Sequence, residues 1–462
     1  MSVFDTISPL DYRYYGTNPA LIKELKPYLS EEALIQYLCK VEVALVETLA
    51  EEGICTQKNV DEIKSALQFI NAEDVYREEQ RIHHLMRAVV NCFGRHVSAE
   101  TKQFIHLTAT SNDIICTAEA VRYQEFTQKI LLPKLLQLEQ TLIFLAEKEK
   151  ATVQIGRTHG QHAVPMTFGF AMSEYVARLG ERIHEITEKA VFLRGQLSGA
   201  IGAYNAQSLI IKDPIDFEKK VLQRLGLKPA THSTQIVVPE CMADYVHSII
   251  STLGVCANLA DDMRHLQRTE IGEVGEAFDA VQVGSSTMPQ KKNPINFENV
   301  KSFYKTMMPR MITLYLDQIS EHQRDLTNSA SSRFTIEIIA GFYIAVDRMT
   351  TTMQKLAVDK DMMQKNFNMS RDFIIAEPLY VLLAVHGMPD AHETVRQLTM
   401  KAHAEGKSLL DAAKADATIA SIMMLFTEQQ KNILEHPETY IGKSVEKTEH
   451  VCAYWRKELG LR

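Results

Sequence analysis

Two adjacent serines, Ser285 and Ser286, follow Gly284 and precede two adjacent lysines, Lys291 and Lys292, in the segment VGSSTMPQKKNPINFEN at residues 283–299. Hydroxyls and cations beside a helix start suit an anionic ligand, or removal of a proton next to a carboxylate. Asn293-Pro294 marks such a start, because Asn caps a helix and Pro fills its first position. A capped helix after a connection of small residues is the plainer reading of the same stretch. A second cluster is GRTHGQHA at 156–163, where small neighbours leave the His159 ring uncovered and able to act as acid or base. Its alternative is a polar turn between helices. His159 and His162 form HxxH, but no Glu completes the HExxH pattern of a zinc site, so no metal is expected.

Three further stretches carry candidate groups. TATSND at 108–113 offers Thr110 and Ser111, which serve equally well as helix caps. RIHHLMRA holds His83 and His84, which fit a solvated helix face as well as a site. HQRDLTNSASSR supplies Arg324, Ser329 and Arg333, whose spacing is not one helix face, so a turn or a charged surface helix is the other reading. GQLSGAIG has three glycines but follows no recognisable strand, which argues against a phosphate loop.

Long, stiff elements are needed to position these segments. Gly (20) and Pro (14) are sparse in 462 residues, which favours uninterrupted helices. Residues 31–52 contain neither, and Leu34, Leu38, Val41, Leu45 and Leu49 recur at helical spacing. Leu135, Leu138, Leu142 and Leu145 repeat at three and four, as do Phe297, Val300, Phe303 or Tyr304 and Met307. Stretches 310–340 and 342–377 again lack Gly and Pro, and convincing period-two alternation is hard to find. The expected class is all-α, an elongated helical protein around a central long-helix bundle. Its expected parts are an N-terminal helical domain at 1–111, the central bundle at 112–360 and a C-terminal helical domain at 361–462. Breaks are expected at Glu377-Pro378, HGMPDAH and HPETYIG.

A net charge of −8 without a long basic run argues against a nucleic-acid surface, so cations must be concentrated locally to hold an anionic substrate. Seven scattered cysteines without a CxxC pair suit a reducing cytoplasm. The N-terminus shows no secretory pattern, and the uncharged stretch around Tyr245 to Ala260 is too short to span a membrane. It reads as a buried helix.

Together and in this order, the segments resemble one family. GSSTMPQKKNP is similar to the signature of the fumarase/aspartase superfamily. RTHGQHA, DYRY at 11–14, TSND, STQI at 233–236, NPINFEN and QRDLTNS are similar to the adenylosuccinate lyases within it. The matches run from residue 11 to YIGKS at 440–444. The chain departs from the pattern at Leu85 after His84, and at Gln290 where a His is common. The resemblance implies β-elimination of fumarate from a succinylated nucleotide, with Ser285 as base and His159 as acid, and no cofactor. It implies substrate contacts from Arg13, Tyr14, His84, Thr110, Ser111, Gln235, Ser286, Lys291, Asn293, Asn299, Arg324, Ser329 and Arg333. It also implies a loop at about 282–293 that closes over the substrate, and a homotetramer with active sites shared between subunits. Sibling lyases acting on argininosuccinate, malate or aspartate, and a helical scaffold without catalysis, are the competing readings.

Overall fold

The Gly- and Pro-free run near residue 31 folds as the helix Glu31–Glu51, opened by Ser30, whose side chain accepts from the Ala33 amide. Leu38, Leu45 and Leu49 of its stripe are fully buried. The computed structural model describes residues 5–277, 287–288 and 290–461, and the chain is predominantly helical. It divides into two compact units, each assembled from three separate stretches.

The first unit comprises Met1–Leu135, Glu181–Cys256 and Val300–Asp347. Glu31–Glu51 packs there against the helix Ser111–Phe126, which buries Ile114, Ala118, Val121 and Phe126. Fully buried Tyr123, Tyr245 and Tyr343 extend this core. Tyr245 and Thr127 satisfy each other's hydroxyls at 2.7 Å inside it. The stretch around Tyr245 lies in the helix Glu240–Leu266, as the sequence implies.

The second unit comprises Leu136–Gly180, Ala257–Asn299 and Arg348–Arg462. It contains a feature the sequence reading missed, an antiparallel hairpin of β1 (Val153–Thr158) and β2 (Gln161–Thr167). Ile155 of β1 is buried against Phe367 and Ile374 of the helix Lys360–Ile374. Beyond it, a separate apolar cluster that includes Leu379, Leu383, Leu409 and Ile419 holds the C-terminal helices together. The expected breaks at HGMPDAH and HPETYIG fall between helices.

Two Gly- and Pro-free stretches are nevertheless interrupted. Residues 317–330 are turns rather than helix, because Asp and Ser side chains capture the backbone and each other. Asp325 accepts from the Glu321 and Thr327 amides at 2.9 Å, and Ser331 donates to Asp317. The helix Thr335–Gln354 stops short, and Asp359 starts a new one by capping Lys360–Ile374 through the Met362 amide.

In the helix Leu132–Lys148, Glu139 is 0% exposed and neither carboxyl oxygen has a partner among the described residues. Burial pushes this acid up to about 9, so it is held neutral. Among the described residues no helix is long and apolar enough to cross a membrane.

Candidate active site

Thr110 stands at the N-cap of Ser111–Phe126 and forms a capping box with Asp113, whose carboxylate accepts from the Thr110 amide at 2.9 Å. The cap reading of TATSND is thus realised, and it anchors more than the helix. Asp113 also accepts from the Ser198 and Gly199 amides and from Gln196 Nε2. Of the GQLSGAIG segment, Ser198 and Gly199 therefore present their backbone amides to a protein carboxylate. Burial outweighs these donors and pushes the Asp113 carboxyl up to about 6.

Three motifs converge at the start of this helix. Asn112 Nδ2 donates to Gln235 Oε1 at 3.3 Å. The Gln235 amide donates to the Gln323 carbonyl at 3.2 Å, and Gln196 holds the Gln235 carbonyl at 2.6 Å. A cleft of about 720 Å³ opens there, lined by His84, Ser111, Arg324, Ser329 and Arg333 among others. Five residues from three distant segments thus share one cavity. Arg324 Nε is buried without a partner among the described residues.

His84 reaches the cleft through a kink, not from a solvated helix face. His83 ends the helix Ala72–Ile82 in the left-handed conformation (φ 58°), and His84 caps Leu85–Gly94 by accepting from the Arg87 amide at 3.2 Å. Buried Glu78 ties the two helices together, taking hydrogen bonds from Arg81, Asn91 and Arg95. Those from Arg81 and Asn91 hold its carboxyl down at about 2. Arg13 and Tyr14 lie on the π-helical turn Leu10–Gly16 and do not line the cleft. Tyr14 packs against Phe303 with ring centroids 4.9 Å apart. Residues missed by sequence reading are Glu119 and Arg122, on the same helix as Asn112 of TSND and lining this cleft with it. Their only sequence signal is polarity on a helix with an apolar stripe. Burial raises the Glu119 carboxyl and Arg122 partly offsets it.

In the second unit, His159 sits at the exposed tip of the hairpin. His159 (φ 53°) and Gly160 (φ 73°) both adopt positive φ in the two-residue turn closed by Thr158 and Gln161, the conformation such hairpins favour. For Gly this is easy; for His it is uncommon and strained. The turn expected here exists, but between strands. Below the tip, β1 bulges between Ile155 and Arg157, and Gly156 permits it, since a Cβ there would stand 2.7 Å from the Val164 carbonyl. His162 Nδ1 meets Ser370 Oγ at 2.7 Å. Burial, then the nearby Arg157, lowers the His162 pKa.

Ser285, Ser286 and half of the loop expected to close, residues 282–286 and 289, lie outside the described residues. Lys291 and Asn293 line a cleft of about 1290 Å³ in the second unit, while His159 is not part of that lining. The helix carrying Asn299 starts at Ile295. Its first amides are satisfied from outside: Glu276 accepts from the Asn296 and Phe297 amides, both at 2.9 Å. This remote carboxylate supplies acceptors at the helix start, where amides lack partners within the helix. Among the described residues no cluster of three or more His, Cys, Asp or Glu is placed to hold a metal.

Residues 12–308 match the family described as Lyase, and residues 320–441 match Adenylosuccinate lyase C-terminal. The chain is 36% identical over 459 residues to an adenylosuccinate lyase of Pyrococcus horikoshii, covering 97% of this chain and 98% of that protein. It is 33% identical to one of Archaeoglobus fulgidus, with 97% and 98% covered. In fold it is similar to a 3-carboxy-cis,cis-muconate lactonizing enzyme from Pseudomonas putida (TM-score 0.84, 22% identity, 97% of this chain and 99% of that one). A fumarate lyase from Mesorhizobium sp. BNC1 is also similar (TM-score 0.81, 21% identity, 93% and 97% covered). Sequence identity over nearly the full length, with the family's C-terminal region included, decides among these relatives: the chain belongs to the adenylosuccinate lyase family.

Proposed function

We propose that this enzyme eliminates fumarate from adenylosuccinate, leaving AMP, and from the succinylated aminoimidazole carboxamide ribonucleotide (SAICAR), leaving AICAR. The base takes a proton from the carbon beside one carboxylate of the succinyl group. The electron pair forms the fumarate double bond, the carbon–nitrogen bond breaks, and the leaving nitrogen takes a proton. Ser285 is the base in this reading. Its hydroxyl is a weak acid and needs cations and donors nearby, with Lys291 the nearest in sequence. His159 is the acid, on a tip exposed enough to meet a substrate.

The observation that carries the reading is the convergence of Ser111, Arg324, Ser329, Arg333 and His84 on one cleft. A substrate with a phosphate and two carboxylates needs several cationic side chains, and Arg forms paired hydrogen bonds to such groups. Arg324 and Arg333 supply two, and Arg13 and Lys291 are assigned as the others. Tyr14, Thr110, Gln235, Ser286, Asn293 and Asn299 complete the contact set. The assembly is a cytoplasmic homotetramer in which segments of three subunits make each site.

Purified protein incubated with adenylosuccinate is expected to release AMP and fumarate in equal amounts, with argininosuccinate, malate and aspartate left unchanged. Release of fumarate from one of these three, with adenylosuccinate inert, would assign a sibling activity instead.

A further inference from the structure

We propose that Glu273, which no motif singles out, is a positioning residue that aims His159 through Arg157. The proposal rests on the assignment of His159 as the acid. Glu273 is 0% exposed, and its carboxylate receives hydrogen bonds from three residues on two other segments, β1 and the helix Lys360–Ile374. Arg157 binds it bidentately, Nη2 to Oε1 at 2.6 Å and Nη1 to Oε2 at 3.1 Å. Gln154 Nε2 donates at 2.6 Å and Asn366 Nδ2 at 2.8 Å. The backbone of Glu273 is fixed as well, its amide on the Leu266 carbonyl at 3.0 Å and its carbonyl on the Asp359 amide at 2.9 Å.

A buried carboxylate is a costly way to hold a strand, because apolar side chains of similar volume often do so equally well. What it adds is direction, since a bidentate guanidinium pair fixes both groups in a plane. Arg157 lies two residues before His159, immediately beyond the bulge, and faces His162 across the hairpin. His162 is in turn held to the helix Lys360–Ile374 by Ser370. A free two-stranded hairpin is marginally stable, and a strained left-handed turn persists only when its surroundings over-determine it. Glu273 and Ser370 fix the two strands of this hairpin at matching depth below its tip.

The test is kinetic, on the full-length protein with adenylosuccinate. Glu273→Gln is expected to lower kcat by about tenfold or more while KM moves by less than about threefold, since the substrate contacts stay in place. The same substitution on a His159→Ala background is expected to change the residual kcat by less than about twofold, because the group it acts through is gone. A merely structural residue would lower both backgrounds alike, and that result would overturn the proposal. So would a Glu273→Gln enzyme whose kcat stays within about twofold of the parent. If Glu273→Gln does not fold, Arg157→Gln reads the same two quantities with Glu273 still held by Gln154 and Asn366. A His159→Ala enzyme with undiminished kcat would refute the acid assignment itself, and this proposal with it.

Discussion

His84 and His159 carry the plainest lesson at the scale of the residue. Both occupy the junctions of elements, one as a helix cap after a left-handed His83, the other in a left-handed hairpin turn. Neither geometry costs much core volume to alter, so His159→Ala and Ser285→Ala are each expected to cut kcat by about a hundredfold or more with the fold retained. Thermal unfolding and oligomer size, measured beside kcat, check that pairing. A Ser285→Ala enzyme near wild-type turnover would remove Ser285 from the role of base. In the proposed reading Arg324 belongs to the other class, a binding group whose buried Nε has no partner among the described residues. Arg324→Lys keeps the charge but loses the planar fork, and KM is expected to rise by roughly tenfold with kcat less affected. Most of these residues were legible because they sit in ordered motifs. Glu273, Glu276 and Glu119 were not, since an acid buried by tertiary contacts looks in sequence like any surface acid.

The helices were readable where apolar spacing alone decides, as in Glu31–Glu51 and Glu240–Leu266. They were misread where side chains compete for the backbone, because absence of Gly and Pro says nothing about Asp325 or Asp359 capturing amides. The hairpin was hidden for a related reason. Its outward tip is polar and one strand carries a bulge, so alternation is broken over a short length. In Leu132–Lys148 the leucine stripe was evident while the buried acid beside it was not. Glu139 has a folded pKa of about 9, above its unfolded value of 4.5. Folding therefore binds a proton, and stability falls as pH rises from the unfolded value through about 9. Glu139→Gln is expected to stabilise the protein by roughly 3 kcal/mol near neutral pH, with little effect near pH 4. Denaturant unfolding across pH measures this, and a gain independent of pH would show that Glu139 is ionised in the fold.

For the whole molecule, the shared-site arrangement proposed above makes a quantitative prediction. When inactive His159→Ala and Ser285→Ala subunits are mixed after reversible dissociation, about a quarter of the sites should receive both intact groups, each drawn independently from an intact donor half the time. Mixed tetramers seen by native mass spectrometry without regained activity would place both groups on one subunit. This level of organisation is the least legible in sequence, because no local pattern records which surfaces meet.

The division into two units, each from three separate stretches, has a consequence during synthesis. All five crossings between units fall inside helices: Leu132–Lys148, Phe168–Val191, Glu240–Leu266, Ile295–Met307 and Thr335–Gln354. The first unit lacks its last stretch until Asp347 has left the ribosome, although its first ends at Leu135. At roughly 5–20 residues per second, Phe126 of the first stretch waits on the order of ten seconds or more for Tyr343 of the last, whose ring lies 6.0 Å away in the fold. Nascent chains stalled near residue 300 should therefore be protease-sensitive and chaperone-bound, whereas a chain of two contiguous domains would show its first part already protected. For the same reason, no cut between residues 136 and 347 releases either unit whole.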